Sequence, residues 1–140
     1  MRELVIAIAA FAIPLCAWSS VPCAESESDF GVFANRFASD KVFRLERVSF
    51  PLPVLLGDGK AQEQVRTRWS LARFKANDRP LFLSTATLKR RGLSQRVRSL
   101  GALEREVFQF RPEADDYRYV FHFRQVDGCW YLVSYADISL

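Results

Sequence analysis

Histidine occurs once in this chain, methionine once and cysteine three times. These shortages exclude whole classes of chemistry. His122 and a few thiols cannot complete a zinc tetrahedron without several carboxylates, and neither a His-Glu-x-x-His nor a Cys-x-x-Cys spacing occurs. No metal and no cofactor is therefore expected. A Cys–His nucleophile is disfavoured too, because the hairpin register described below leaves Cys129 and His122 two residue pairs apart. Glycine and proline number only six each, which argues against long disordered tracts. There is no glycine-rich phosphate loop, no Gly-x-Ser-x-Gly and no internal repeat, so nucleotide and hydrolase chemistry have nothing to rest on.

Apolar residues are plentiful. They make up 49% of the 140 residues, with twelve phenylalanines, enough for one domain with a real core. The first of them do not read as part of it. "MRELVIAIAAFAIPLCAW" holds an apolar run from Leu4 to Trp18, the length of a signal-peptide h-region and short for a membrane span. Cleavage is expected after Ser19, or near Cys23 or Ala24. The chain divides as a leader over 1–24, a polar linker over 25–29 and a single domain over 30–140, placing the protein in the periplasm or outside the cell. An uncleaved anchor, a cytosolic chain and a lipid-modified Cys23 are the alternatives, the last opposed by Pro22. A cut beyond Cys23 leaves Cys129 as the lone thiol, without a disulfide partner.

Periodicity places the elements. Phe30, Phe33, Ala34 and Phe37 fall at helical spacing behind Ser28 or Asp29 as N-cap, which predicts an amphipathic helix over about 29–39 with a further turn through "DKVFRL". Val48 to Leu55 reads as extended, with Pro51 and Pro53 demoting it to an edge strand or a bend. Gly57–Lys60 and Asn77–Pro80 read as turns. "EQVRTRWSLARFKA" alternates as a strand does, although helix competes, and Leu81–Leu88 fits strand or short helix. "REVFQF" is a strand. Asp127-Gly128 is a two-residue hairpin signal between alternating aromatics. That turn makes Val126 face Cys129, Val133 face His122 and Asp137 face Arg118. One sheet face then shows Tyr117, Tyr119, Phe121, Phe123, Trp130, Leu132 and Ile138, with the phenylalanine stripe of the helix as its cover. The other shows Arg118, Val120, His122, Arg124, Tyr131, Val133, Tyr135 and Asp137.

Two stretches, "DFGVFANRFASDKVFRLERVSFPLP" and "FHFRQVDGCWYLVSYADIS", carry a resemblance through Phe37, Ser39-Asp40, Phe43, Arg47, Phe50-Pro51-Leu52 and Asp127-Gly128-x-Trp130-Tyr131-Leu132. With them the chain resembles an uncharacterised family of secreted bacterial proteins, a domain of unknown function with a nuclear-transport-factor-two-like (cystatin-like) fold. The resemblance implies an α+β cone: an N-terminal helix packed on a strongly bent antiparallel sheet, with a pocket at the open end. It implies no activity. Cys129 stands where the family pattern leads one to expect a basic residue, which argues against a shared role for the thiol.

Within such a cone the expected ligand-pocket residues are Phe37, Asp40, Tyr117, Tyr119, Phe121 and Trp130. Asp40 is the one candidate for acid–base catalysis, set against an ordinary role as helix cap with Arg44 and Arg47 nearby. Lys89, Arg90, Arg91, Arg96 and Arg98 form a basic run without interleaved aromatics. It suits an anionic partner better than nucleic acid, which an exported protein does not meet. The leading expectation is a non-catalytic binding or interaction module of the bacterial envelope, taking a small apolar ligand or an envelope protein. A cofactor-free, isomerase- or dehydratase-like enzyme is the alternative. A homodimer through Val120, Tyr131, Val133 and Tyr135 is a further expectation.

Overall fold

A computed structural model describes residues 23–57, 64–77 and 81–140. The expected leader up to residue 22, the core of the Gly57–Lys60 turn and the end of the Asn77–Pro80 turn lie outside the described residues. Asp29 caps the first helix by accepting the Val32 N–H at 3.0 Å, and helix α1 spans Phe30–Ser39. Asp40 then caps α2 (Lys41–Glu46) through the Phe43 N–H. The remaining elements are β1 (Leu52–Gly57), β2 (Gln64–Trp69), α3 (Leu71–Lys75), α4 (Thr85–Arg90), β3 (Ser94–Gly101), β4 (Glu104–Phe110), β5 (Arg118–Val126) and β6 (Cys129–Asp137). The ambiguous "EQVRTRWSLARFKA" is both strand and helix, and Ser70 divides them by capping α3 through the Arg73 N–H.

One curved six-stranded sheet runs in the order β2-β1-β6-β5-β4-β3. The expected antiparallel pairing holds except where β1 joins β6, which is parallel. The proline-bearing strand β1 is therefore interior rather than an edge. The parallel ladder begins only at Val54, so Pro53, which has no N–H to give, interrupts none of it. The β5–β6 turn carries positive φ at Asp127 (51°) and Gly128 (79°), the backbone of the tight turn whose twist suits a hairpin.

The phenylalanine stripe covers the sheet as its spacing predicts. Phe30, Phe33 and Phe37 all lie against Phe123, with ring centroids 5.4, 5.6 and 5.4 Å away. Phe33, Phe37, Phe121, Phe123 and Leu132 are at most 1% exposed. Each buried ring of this kind stabilises the fold by roughly 1.5–3 kcal/mol. A second tie is polar. The side chain of Gln109, fully buried on β4, accepts from the Leu83 N–H at 3.1 Å and donates to the Leu83 carbonyl at 2.9 Å. It clamps the segment before α4 to the sheet.

Two expectations about the N-terminal region are overturned. Residues 25–29 are not a polar linker: Glu25–Ser28 is a turn of 3-10 helix, and Glu27 is buried, ion-paired with Arg36 and, at 3.0 Å, with Arg47. The Trp130 indole N–H also donates to the Ser28 carbonyl at 2.9 Å. Nor is Cys129 a lone thiol, because it is disulfide-bonded to Cys23 across 106 residues, with Cα atoms 5.5 Å apart. The fold thus reaches back at least to Cys23. Counting Cys23 with the leader removed the one partner that Cys129 has.

A bridge closing so long a loop restricts the unfolded chain by roughly 4.7 kcal/mol in the chain-entropy account. Reduction, or Cys129→Ser, is expected to lower the thermal midpoint by about 10 °C or more, read by circular dichroism on oxidised and reduced protein. Coincident melting curves would show that the bridge restrains nothing.

Candidate functional site

Strand β6 decides which side chains reach the open end of the cone. From the turn back to Phe123↔Leu132 its register against β5 is the one the hairpin predicts. There it slips. His122 pairs with Ser134, Phe121 with Tyr135, Val120 with Ala136 and Tyr119 with Asp137. Val133 is the extra residue of a β-bulge, and a bulge sends every later side chain to the other face. Tyr135 and Asp137, expected on the outer face, therefore stand on the inner one. Ser134 replaces Val133 opposite His122, and Asp137 no longer opposes Arg118.

The inner side chains close a cavity of about 600 Å³ lined by Leu56, Trp69, Arg73, Asn77, Leu81, Arg91, Tyr117, Tyr119, Tyr135 and Asp137. Its walls are aromatic. Tyr117 meets Tyr119 edge to face at 4.4 Å, Tyr119 stacks on Tyr135 at 5.9 Å, and Tyr135 leans on Trp69 at 6.0 Å. Two guanidinium groups lie over this wall, Arg73 5.5 Å from the Trp69 ring and Arg91 5.5 Å from the Tyr117 ring. Such stacking leaves the edge donors of a guanidinium available to a ligand. The volume is that of a small-molecule cleft, and apolar walls with a few convergent charges are the usual composition of one.

Burial raises the Tyr117 phenol to about 12, helped by the neighbouring Tyr119 and Asp137 and opposed by Arg91. Tyr117 is thus a neutral hydrogen-bonding group in the mouth throughout the physiological range. Because the folded value lies above the ordinary value of about 10, the stability contributed is complete below pH 10 and is lost as pH rises through 12.

Of the expected pocket residues, only Tyr117 and Tyr119 line this mouth. Phe37, Phe121 and Trp130 are at most 2% exposed and belong to the solid core, which they fill because the aromatic face of β5 and β6 lies directly under α1. Asp40 is elsewhere again. Its carboxylate accepts the Phe43 N–H at 3.0 Å, lies 3.6 Å from Arg36 and also acts on the charge of Arg44, while Arg47 pairs with Glu27 instead. The Phe43 N–H is the largest cause holding its pKa below the usual value. An exposed, ionised helix cap outside the cavity is no proton shuttle for a ligand inside it. The mouth residues missing from the sequence reading, Trp69, Arg73, Arg91, Tyr135 and Asp137, arrive from four separate segments. The bulge had one visible trace, since the apolar alternation Trp130, Leu132 resumes at Tyr135 rather than at Ser134.

The basic run does not form one patch. Arg91 turns to the mouth, Arg90 donates to the Thr87 hydroxyl, and Arg98 pairs with Glu106 at 3.0 Å. The expected dimer face is interrupted as well, because Tyr135 is buried on the inner side. Among the described residues no three His, Cys, Asp or Glu side chains gather closely enough to hold a metal ion.

A curved sheet wrapped on helices, open at an aromatic mouth, defines an α+β cone of the NTF2-like, cystatin-like class. Solved structures carry the same fold. An NTF2-like protein from Bacteroides fragilis NCTC 9343 superposes with a TM-score of 0.57 at 17% identity, over 78% of this chain and 46% of that one. A cystatin-like protein from Bacteroides caccae ATCC 43185 superposes with a TM-score of 0.51 at 19% identity, over 76% of this chain and 74% of that one. The chain thus spans about half the length of the first. At these identities the likeness concerns the fold alone. No family model matches the sequence, and no curated protein matches it.

In a spectrophotometric titration the Tyr117 phenol, read as the difference between the native chain and Tyr117→Phe, is expected to ionise near pH 12, about two units after the ordinary value. A difference curve centred near 10 would place Tyr117 in water rather than in the mouth.

Proposed function

We propose that the protein is an exported, non-catalytic binding module of the bacterial envelope, and that the cone mouth holds a small flat ligand bearing an anionic group. The observation that carries this reading is the pair Arg73 and Arg91 laid over Trp69 and Tyr117 in a cavity also lined by Tyr119, Tyr135 and Asp137. Aromatic faces suit a ring, and two guanidinium edges suit a carboxylate or phosphate. This narrows the small apolar ligand expected from sequence, because the apolar wall is real but the rim is cationic. The anion-binding role expected of the whole run Lys89–Arg98 falls here to Arg91.

The Cys23–Cys129 bridge supports export, since structural disulfides persist in oxidising compartments and are rare in the cytosol. It also moves the expected cut. A mature chain that keeps the bridge begins no later than Cys23, which favours cleavage after Ser19 over cleavage at Ala24. Mass spectrometry of protein from its own host is expected to find Met1 removed, Cys23 retained and both thiols blocked. A chain retaining Met1 with free thiols would return the protein to the cytosol and remove the envelope from the proposal.

The alternative of a cofactor-free enzyme keeps one supporting observation. Asp137 lines the mouth beside Tyr117 and bears on its ionisation, so a carboxylate does lie among aromatic rings, though in company with two arginines. Binding and catalysis separate in one experiment. Trp69 is the tryptophan at the mouth, and benzoate is expected to quench its fluorescence saturably. Arg73→Gln or Arg91→Gln should weaken benzoate about tenfold or more, as loss of a charge-assisted pair does. Asp137→Asn should leave binding intact or strengthen it. Benzoate affinity indifferent to both arginines would overturn the binding proposal.

A further inference from the structure

The outer face of the sheet carries a second cavity, of about 580 Å³, whose lining touches that of the mouth at Tyr135. Its residues fall into two adjacent rows across the strands. In one row Arg66 on β2 pairs with Leu55 on β1, Leu55 with Ala136 on β6, and Ala136 with Val120 on β5. In the next, Arg68 pairs with Pro53, and further across the sheet Ser134 pairs with His122 and His122 with Glu106. Neighbouring strands lie about 4.8 Å apart, so from Arg66 to Val120 the groove spans roughly 14 Å. The middle of the floor is apolar, made by Pro53, Leu55, Ala136 and Val120, and one wall is the two exposed arginines.

The charges are unequally satisfied. At the His122 end the Glu106 carboxylate is engaged twice, by the His122 Nε2 at 2.8 Å and by Arg98 at 3.0 Å. The His122 hydrogen bond is the largest cause holding Glu106 below its usual pKa, so this end is internally balanced. At the β2 end, Arg66 and Arg68 have no hydrogen bond or ion pair among the described residues, nor a ring beneath them. They stand two apart on one strand, so both guanidinium groups project to the same side. Two uncommitted cations beside an apolar floor complement a molecule with one anionic end and one apolar body.

We propose that this outer groove is a second ligand site that takes a free amphiphilic carboxylate, its headgroup held by Arg66 and Arg68 and its chain lying over Leu55, Ala136 and Val120 toward His122. The site meets the cone mouth at Tyr135, which lines both. The two share no arginine and lie on opposite faces of the sheet.

His122 is the only histidine, so its ring signals in a nuclear magnetic resonance titration report on this groove alone. Decanoate added to the oxidised full domain is expected to move them saturably, whereas decanol, with the same chain and no charge, should act about tenfold or more weakly. The double variant Arg66→Gln/Arg68→Gln should lose at least tenfold in decanoate affinity, and Arg91→Gln, at the mouth, should leave it unchanged. Both β2 arginines are exposed and unpaired among the described residues, so the double variant should fold, with its circular dichroism as the check. Ala136→Phe, which fills the floor, supplies a second block. Ring signals that stay still up to the solubility of decanoate, or that move equally in the double variant, overturn the proposal. It is overturned equally if the signals change with protein concentration alone as light scattering shows a dimer, or if phosphatidylglycerol vesicles move them and free decanoate does not.

Discussion

Strand β6 carries one residue more than β5 can match, and it carries it between the core and the mouth. Up to Leu132 the strand is held on two sides, by Phe123 on β5 and by the chain before β1, where the Leu132 N–H donates to the Arg47 carbonyl at 2.8 Å and the Ser49 N–H returns to the Leu132 carbonyl at 2.9 Å. Beyond the bulge it is held again on two sides, now by Phe121 and by Val54. The unpaired Val133 absorbs the difference. Without it Tyr135 would face solvent and Asp137 with it, and the mouth would lose one wall and its carboxylate. Bulges re-aim side chains in this way near binding sites, and here the same slip lays Ser134 opposite His122 on the outside.

The helices set the other boundary. Pressed on Phe123, the rings of α1 fill the narrow part of the cone completely, so no ligand can sit beneath Phe37 or Phe121. The cavity opens only where α1 no longer reaches and the short helices α3 and α4 take over. α3 sends Phe74 into the core and Arg73 to the cavity, and Arg91 follows just past α4. Gly92, at φ 67°, ends α4 in the left-handed conformation that glycine adopts at least cost, and it brings the Leu93 N–H back to the Leu88 carbonyl at 2.8 Å. The chain thereby turns into β3 with Arg91 left at the rim.

Much of this architecture was legible in residues. The Phe30, Phe33 and Phe37 spacing, the Asp127-Gly128 turn and the alternation through Phe121 and Phe123 each follow from a local rule, and local rules survive folding when one face is strongly apolar. The mouth was not legible, for two reasons. Its walls come from β1, β2, α3 and β6 as well as from the Tyr117–Tyr119 pair, and no local period links them. The bulge also inverts a face whose outer and inner residues, Val133, Ser134, Tyr135 and Ala136, are all tolerable on either side. The N-terminal tie failed differently. "CAESES" is polar and short, as a linker is, and only three-dimensional pairing reveals that Glu27 meets Arg47 and that Cys23 meets Cys129. Removing Glu27 would leave the buried Arg47 charge without its carboxylate, a loss of about 3–5 kcal/mol in comparable settings. The segment that looked least structured is therefore among the most constrained.

Apart from the surface ion pairs, arginine has three uses among the described residues, and the partner separates them. Arg47, with its side chain 13% exposed, is spent inside the fold: it pairs with Glu27 and donates to the Cys23 sulfur at 2.8 Å, so it joins the bridge to the sheet. Arg73 and Arg91 each lie over an aromatic ring and line the cavity. Arg66 and Arg68 are fixed by neither acid nor ring among the described residues. A charge held by an internal partner gains little from an external anion, because the partner must first be displaced. A stacked charge gains more, since its ring contact survives the binding event. An unpaired charge next to apolar surface gains in two ways, from the anion and from the water its chain displaces. On that ordering, the two proposed sites draw on different arginines, Arg73 and Arg91 at the mouth and Arg66 and Arg68 on the outer face.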